Sequence, residues 1–172
     1  MAFGIEYERE RRIMYRLLAM DVDGTLTDGG VYLCASGEEF KRFDIQDGMG
    51  VALFRKAGGK VALISGRYSQ ATERRAQELD VDFLVNGTAD KLAALQKVAD
   101  KIGATASEVV YVGDDLNDID CARWAGLGVA VANAVAELKD AANLTTVRSG
   151  GSGAVREIVD SILKMNETEV CS

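Results

Sequence analysis

The chain has 172 residues, of which 48% are hydrophobic, and a formal net charge of −7. This length allows one domain with a sizeable core, and the composition is ordinary for a soluble globular protein. The acidic balance, with no concentrated basic patch, argues against a nucleic-acid partner. The sequence contains no histidine, which excludes Ser-His-Asp catalysis and every histidine-ligated metal site.

The cysteines and the termini indicate the cellular context. Cys34, Cys121 and Cys171 are scattered and odd in number, which favours a reducing compartment over a disulfide framework. Residues 1–16 are highly charged and lack the apolar core of a signal peptide. We therefore expect a charged leader at 1–16, one domain at 17–165 and a tail at 166–172, in a cytoplasmic protein with no membrane partner.

An apolar run beginning at Leu17 ends abruptly in two carboxylates and a glycine, in the string L-L-A-M-D-V-D-G-T. This pattern predicts a buried strand followed by a sharp turn at Gly24. Asp21 and Asp23 fall on one side of the strand if it continues that far. Such close carboxylates need a bound cation or a shared proton. We interpret the stretch as a Mg²⁺-assisted phosphoryl-transfer site with one aspartate as nucleophile; an ordinary turn is the alternative.

A β-hairpin is predicted just past this acidic site. A short β-like run at 29–34 is followed by a turn at 36–38 and by alternating apolar and basic residues at 40–43. From spacing alone, the hairpin could equally be a surface feature without a role. A helix is then predicted to open at Asp47-Gly48 and to stop at the glycine pair after residue 57.

A second polar fragment follows the continuous apolar run at 61–64, which is typical of a strand buried on both faces. This strand ends at Ser65-Gly66-Arg67, where a hydroxyl and a guanidinium are suited to contact a phosphate or a carboxylate. A helix cap and a surface charge are equally good explanations of these two side chains. A helix is predicted over 69–79.

A lysine stands in an unusual position in the next helix. We expect a strand at 82–85 and a helix from 89 to 102, with Thr88 as its N-cap. Lys91 then lies in the first turn, where a cation is disfavoured by the helix dipole. An anion held nearby would explain it, although a tolerated surface lysine is the alternative.

A second acidic cluster follows the strand predicted at 109–112. Asp114, Asp115, Asn117 and Asp118 are crowded into one short segment. They could form an ordinary helix start, because aspartate is favoured in a first turn. Facing the first acidic pair, they would instead complete an oxygen cage for Mg²⁺.

The remaining sequence continues the alternation of strands and helices. The predicted elements are 116–124, 127–131, 134–142, 144–147 and a final amphipathic helix around 155–163. The glycine-rich segment at 150–153 lacks the known phosphate-loop fingerprints. Alternation throughout predicts an α/β fold, a Rossmann-like doubly wound parallel sheet with a small hairpin insertion and no cap domain. Ligands in such sheets bind outside the carboxyl ends of the strands, where all the polar fragments would meet.

In order, these fragments resemble the four motifs of the haloacid dehalogenase superfamily of phosphohydrolases. They are D-V-D-G-T-L-T-D, I-S-G-R, the lysine of A-D-K-L, and G-D-D-L-N-D. The resemblance implies Asp21 as the nucleophile and Asp23 as the general acid and base. It implies that Ser65 and Lys91 hold the phosphoryl group. The implied Mg²⁺ site is formed by Asp21, Asp23, Asp114 and Asp118, with Asp23 acting through its backbone carbonyl and Asp118 supporting the other ligands.

Within the superfamily, the chain is similar to the small capless group that contains 3-deoxy-D-manno-octulosonate 8-phosphate phosphatase. The similarity lies in D-G-G-V-Y, G-E-E-F-K-R-F, Q-D-G-M-G, I-S-G-R-Y-S and G-G-S-G-A-V-R-E. It implies a homotetramer acting on a phosphorylated sugar acid. The implied substrate contacts are Lys41, Arg67, Arg75 and Asn117, joined by the backbone around Asp47 and Gly48.

The sequence is also compatible with another substrate and with two other functions. Gln46 stands where the octulosonate enzyme is expected to have an arginine, so a nine-carbon nononate or sialate 9-phosphate is a second possible substrate. A receiver-type signalling domain also uses aspartate, Mg²⁺, a hydroxyl and a lysine, but its acceptor aspartate should end the third strand. A third hypothesis is a phosphatase-like module of the kind attached to sialate cytidylyltransferases.

Overall fold

The computed structural model describes residues 14–169, and their side chains as far as Met165. It contains eight strands and six α-helices. The strands are β1 Leu17–Met20, β2 Tyr32–Leu33, β3 Glu39–Phe40, β4 Lys60–Ser65, β5 Phe83–Asn86, β6 Val109–Gly113, β7 Leu127–Ala130 and β8 Leu144–Thr145. The helices are α1 Ile45–Lys56, α2 Gln70–Glu78, α3 Lys91–Lys101, α4 Ile119–Trp124, α5 Ala136–Ala141 and α6 Ala154–Glu169.

Six strands form one parallel sheet in the order β5-β4-β1-β6-β7-β8. The chain builds outward from β1 to β4 and β5, and then returns to build β6, β7 and β8 on the other side. The order therefore reverses between β1 and β6, and the crevice at the carboxyl ends of these two strands is where such sheets bind ligands. The predicted doubly wound α/β fold is confirmed.

The central strands are apolar along their length because both faces of the sheet are covered. Every residue of β1 and β6 is buried, and β4 is buried from Val61 onward. Helix α1 packs against α6, while α3, α4 and α5 form a second packed group. The hairpin of β2 and β3 forms a separate antiparallel pair, and no other insertion within 14–169 is long enough to form a cap domain.

Aspartate caps explain why α1 and α3 do not begin where predicted. Helix α1 starts at Ile45 rather than at Asp47, because Asp44 is the N-cap and its carboxylate accepts a hydrogen bond from the Gln46 amide. Helix α3 starts at Lys91, and its N-cap is Asp90 rather than Thr88. The Thr88 hydroxyl accepts instead from the Asp90 amide, 3.2 Å away, so it shapes the turn before the helix.

The last helix is anchored by a buried carboxylate on α1. Asp47 is fully buried and accepts hydrogen bonds from the backbone amides of Gly153, at 3.2 Å, and Arg156, at 3.0 Å. These amides are at the amino end of α6, so Asp47 caps that helix across the α1–α6 interface. Helix α6 runs to Glu169, so residues 166–169 of the predicted tail continue the helix.

The predicted leader at 1–16 and the last three residues lie mainly outside the described residues. Within 14–169, no helix combines the length and the apolar character needed to cross a bilayer.

Candidate functional site

The crevice between β1 and β6 collects the polar fragments that the sequence places after separate strands. Asp21 follows β1 directly, Asp114 follows β6, and Ser65 is the last residue of β4. Lys91 is the first residue of α3, whose amino end approaches the same edge. The fold therefore brings together residues that are up to 93 positions apart in the chain, between Asp21 and Asp114.

Lys91 is the cation at the centre of this site. Its Nζ lies 2.7 Å from Asp21 Oδ1, 2.8 Å from Asp118 Oδ1 and 3.3 Å from Asn117 Oδ1. The residue is only 4% exposed. Burial alone would lower the pKa of Lys91, but Asp21 and Asp118 outweigh that effect and raise it, so the ammonium keeps its charge. The two buried carboxylates explain why a lysine occupies the disfavoured first turn of α3.

The carboxylates nevertheless outnumber the cation. One oxygen each from Asp21, Asp114 and Asp118 lies within 4.8 Å of the others. Burial, and next the charge of Asp118, raise the pKa of Asp21 to about 6. Burial, and next the charge of Asp21, raise the pKa of Asp114 to about 8. A cluster of hard oxygen ligands with this excess of negative charge fits a divalent cation such as Mg²⁺.

Asp118 has little capacity left for a metal. It is fully buried, and its Oδ1 accepts from Lys91 and from the Tyr111 hydroxyl, 2.7 Å away. Its Oδ2 accepts from the backbone amides of Asp114, at 3.0 Å, and Asp115, at 3.2 Å. These four donors occupy the lone-pair sites of a carboxylate. The arrangement fits the supporting role for Asp118 better than direct coordination.

A second charged cluster is formed around Asp23. Asp23 turns away from the metal cluster, and its Oδ1 lies 2.7 Å from Lys41 Nζ. Arg67 Nε is 3.6 Å from Asp23 Oδ2, and its Nη1 donates to Glu39. The Ser69 hydroxyl also donates to Glu39, at 2.8 Å. Glu39 and Lys41 come from the hairpin, so the hairpin supplies charged groups to the site.

The Ser65 hydroxyl is buried at the end of β4. It donates to the carbonyl of Arg67 at 2.8 Å and is the acceptor of the Arg67 amide at 3.3 Å. These bonds hold the turn after β4 in place. The neighbouring Gly66 leaves room for Asn117, whose Nδ2 would lie 3.4 Å from a Cβ at that position.

Three of the predicted substrate contacts lie together near the start of α1. Arg75 stacks over the Phe43 ring at 5.3 Å and donates from Nη2 to the Asp44 carbonyl. Its Nε is buried and, among the described residues, has no hydrogen-bond partner. Gly48 leaves space for this guanidinium, because a Cβ there would lie 2.8 Å from Arg75 Nη2. Asp47 faces α6 instead, and both its oxygens are occupied by backbone amides, so its side chain is not available to a substrate.

The turn after β1 depends on Gly24, which the sequence predicted, and on Asn133, which it did not single out. Gly24 has φ +90°, and a Cβ there would lie 1.9 Å from Asp114 Oδ2, so only glycine fits. Asn133 donates to the Gly24 carbonyl at 3.0 Å and accepts from the Gly150 amide at 2.6 Å. The glycine-rich segment therefore packs against this turn. Its glycines were visible in the sequence, whereas nothing local marked Asn133.

Comparison with known proteins identifies the family. Residues 82–158 match the model of haloacid dehalogenase-like hydrolases. The chain is 40% identical over 148 residues to 3-deoxy-D-manno-octulosonate 8-phosphate phosphatase KdsC of Escherichia coli K12, which covers 86% of this chain and 79% of that protein. The chain belongs to this phosphatase family of the haloacid dehalogenase-like hydrolases.

Solved structures of the phosphatase family share the fold. The enzyme of Moraxella catarrhalis, in complex with magnesium, phosphate and KDO, is 39% identical, with a TM-score of 0.86 over 91% of this chain and 89% of that one. The cobalt-bound enzyme of Haemophilus influenzae is 33% identical, with a TM-score of 0.87 over 92% of each chain. Membership of the phosphatase family disfavours the receiver alternative.

The raised pKa values of Asp21 and Asp114 predict that Mg²⁺ and protons compete for these carboxylates. Without metal, a carboxyl whose pKa is raised by folding stabilises the protein only while it is protonated, and that stability is lost as the pH rises through about 6 for Asp21 and about 8 for Asp114. Mg²⁺ must displace these protons. We expect Mg²⁺ to raise the melting temperature more at pH 8.5 than at pH 5.5, as measured by calorimetry.

The control for this prediction is Asp114→Asn, which should remove most of the Mg²⁺ effect at both pH values. An equal Mg²⁺ shift at the two pH values in the wild-type protein would contradict the proton competition.

Proposed function

We propose that this chain is a Mg²⁺-dependent phosphoric monoester hydrolase that acts on a phosphorylated keto-deoxy sugar acid of the 3-deoxy-D-manno-octulosonate 8-phosphate type. The observation that supports this most directly is the contact of Lys91 with Asp21 inside the carboxylate cluster. Family membership and the substrate named for the relatives agree with it.

In this proposal Asp21 is the nucleophile. A bond forms between an Asp21 carboxylate oxygen and phosphorus while the ester bond from phosphorus to the sugar oxygen breaks. Held by Asp21, Asp114 and the Asp23 carbonyl, Mg²⁺ would offset the charge of the phosphoryl oxygens, which the anionic nucleophile must approach. Lys91 and Ser65 would contact the same oxygens, and the buried position of Lys91 strengthens its electrostatic effect.

Asp23 is the proposed acid and base. It would give a proton to the departing sugar oxygen, and then take one from the water that cleaves the aspartyl-phosphate and releases inorganic phosphate. Its contact with Lys41 keeps the carboxyl group on the substrate side, away from the metal cluster. Asp21 and Asp23 therefore have different neighbours, as their different roles of nucleophile and of acid and base require.

The remaining cations would recognise the sugar acid. Arg67 retains donors beyond those facing Asp23 and Glu39, since its side chain is 46% exposed. Arg75 keeps one buried N–H without a partner in the described structure. Both are suited to bind a carboxylate through charge-assisted hydrogen bonds. Asn117 and the Gly48 backbone would complete these contacts.

The nine-carbon alternative rests on Gln46, which stands where the octulosonate enzyme is expected to have an arginine. Gln46 Oε1 accepts a hydrogen bond from Arg148 Nη1 at 2.6 Å, in the loop before α6. A substrate panel containing both eight- and nine-carbon keto acid phosphates, assayed for phosphate release with Mg²⁺ and with EDTA as control, would separate the two candidates.

We also infer a homotetramer in the cytoplasm. The unpaired cysteines Cys34 and Cys121 favour a reducing compartment. The hairpin and the residue before it expose four large apolar side chains: Val31 at 58%, Tyr32 at 45%, Leu33 at 69% and Phe40 at 58%. An exposed apolar patch of this kind favours contact with another subunit.

The nucleophile is tested by Asp21→Asn. We expect phosphate release to fall by about 10⁴-fold or more, because the amide cannot form the phosphoenzyme. The melting temperature without metal should not fall, because burial makes the charged carboxylate unfavourable there. The control is Asp100→Asn on the exposed side of α3. Phosphate release near the wild-type rate in Asp21→Asn would exclude Asp21 as the nucleophile.

Carboxylate recognition is tested by Arg75→Ala. We expect KM for keto acid phosphates to rise roughly 10- to 100-fold, as loss of a charge-assisted hydrogen bond implies. The KM for p-nitrophenyl phosphate, which has no carboxylate, should change little. Arg74→Ala, one residue away on the exposed side of α2, is the matched control. Equal effects of Arg75→Ala on both substrates would remove the recognition role.

The subunit contact is tested by Leu33→Asp. We expect this charge on the hairpin to dissociate the tetramer in sedimentation equilibrium, since it would be buried at the interface. Leu84→Asp, on edge strand β5 and 37% exposed, should leave the assembly unchanged. A wild-type protein that sediments as a monomer would contradict the proposed assembly.

A further inference from the structure

A buried tyrosine outside the recognised motifs is hydrogen-bonded into the catalytic cluster. Tyr111 is on β6, where its side chain is fully buried. Its hydroxyl is 2.7 Å from Asp118 Oδ1, the same oxygen lies 2.8 Å from Lys91 Nζ, and that Nζ lies 2.7 Å from Asp21 Oδ1. Three short bonds thus connect the phenol to the nucleophile, through residues that are at most 5% exposed.

The two oxygens of Asp118 are held differently. Oδ2 is fixed by the backbone amides of Asp114 and Asp115. Oδ1 is shared between one neutral donor, Tyr111, and one charged donor, Lys91. A buried oxygen that loses one of two donors interacts more strongly with the other, because no water replaces the missing bond. Without the phenol hydroxyl, Lys91 would therefore be drawn toward Asp118 and away from Asp21.

The division of Lys91 between two carboxylates matters during the reaction. As Asp21 bonds to phosphorus, its negative charge passes to the phosphoryl oxygens, and Lys91 has to follow that charge to stabilise the transition state. A lysine held too strongly by Asp118 would contribute less to that state, whereas substrate binding in the ground state would change little.

We propose that the Tyr111 hydroxyl is a positioning group for phosphoryl transfer, which sets how Asp118 shares Lys91 with the nucleophile Asp21. This inference rests on the phosphatase function proposed above. It is separate from the packing role of the aromatic ring, which fills the core beneath the site.

The test is Tyr111→Phe, which removes the hydroxyl and keeps the ring. We expect kcat to fall about 10-fold, as loss of a hydrogen bond to a charged group implies, while KM for the sugar-acid phosphate stays within about twofold. Orthovanadate, which resembles the phosphoryl transition state, should bind about 10-fold more weakly in titration calorimetry with Mg²⁺. Tyr15→Phe, which alters a tyrosine packed at the opposite end of β1, should change neither quantity.

A double-mutant cycle with Asp118→Asn shows whether Tyr111 acts through Asp118. The expected result is that Tyr111→Phe has little further effect on kcat or vanadate affinity once Asp118 is changed. If Tyr111→Phe does not fold, 3-fluorotyrosine introduced at position 111 replaces it. That residue is a stronger donor of nearly the same size, so kcat and vanadate affinity should change together.

Three outcomes would overturn the inference. The first is a lower melting temperature for Tyr111→Phe with unchanged kcat and vanadate affinity, which is the result of a structural role alone. The second is full additivity with Asp118→Asn. The third is fluorotyrosine without any effect on either quantity. Failure of the proposed function is distinguishable, because wild-type protein would then release no phosphate from any substrate of the panel.

Discussion

The buried ion pairs of Lys91 with Asp21 and Asp118 are the interaction on which the rest of the site depends. Three carboxylates meet there in a low-dielectric crevice, and one ammonium cannot balance them. The unfavourable charge appears as raised pKa values at Asp21 and Asp114, caused first by burial and then by neighbouring carboxylates. The surrounding structure holds the carboxylates together against this repulsion, which a bound divalent cation would relieve. The repulsion among the carboxylates and their affinity for a divalent cation thus have the same cause, the excess of negative charge.

The elements that hold the carboxylates together lie close to the site. Strands β1 and β6 are adjacent and fully buried, so the residues that follow them emerge side by side at fixed spacing. The turn after β1 is then fixed from two directions. Gly24 allows the Asp114 carboxylate to approach the backbone, and Asn133 links this turn to the loop before α6. The Asp47 carboxylate accepts hydrogen bonds from two backbone amides at the start of α6 and so fixes that helix. Residues from five separate parts of the chain therefore hold one carboxylate cluster in a single arrangement.

The sequence predicted those parts of the site that local pattern determines. Buried strands ending in polar residues marked Asp21, Ser65 and Asp114. The helix dipole made Lys91 conspicuous in the sequence itself. The helix starts were misplaced because two residues could cap each helix, Asp44 or Asp47 for α1 and Thr88 or Asp90 for α3, and Asp44 and Asp90 form the caps. The contact of Asn133 could not be predicted because its partner Gly24 is far away in the chain. The contact of Tyr111 with Asp118 spans only a few residues, but it depends on how the turn after β6 folds, which no local pattern reveals. The orientation of the Asp47 side chain toward α6 could not be predicted either, because the motif resemblance concerned only the backbone around Asp47 and Gly48.

The two charged clusters of the site differ in their balance of charge and in the elements that contribute their side chains. The cluster around Asp21 is contributed by strands and helices of the core, and it has more carboxylates than cations. The cluster around Asp23 pairs two carboxylates, Asp23 and Glu39, with two cations, Lys41 and Arg67. Glu39 and Lys41 belong to the hairpin, outside the main sheet. In the proposed function, the hairpin therefore reaches the acid and base Asp23 through Lys41, whereas the contacts of the nucleophile Asp21 with Lys91 come from the core alone.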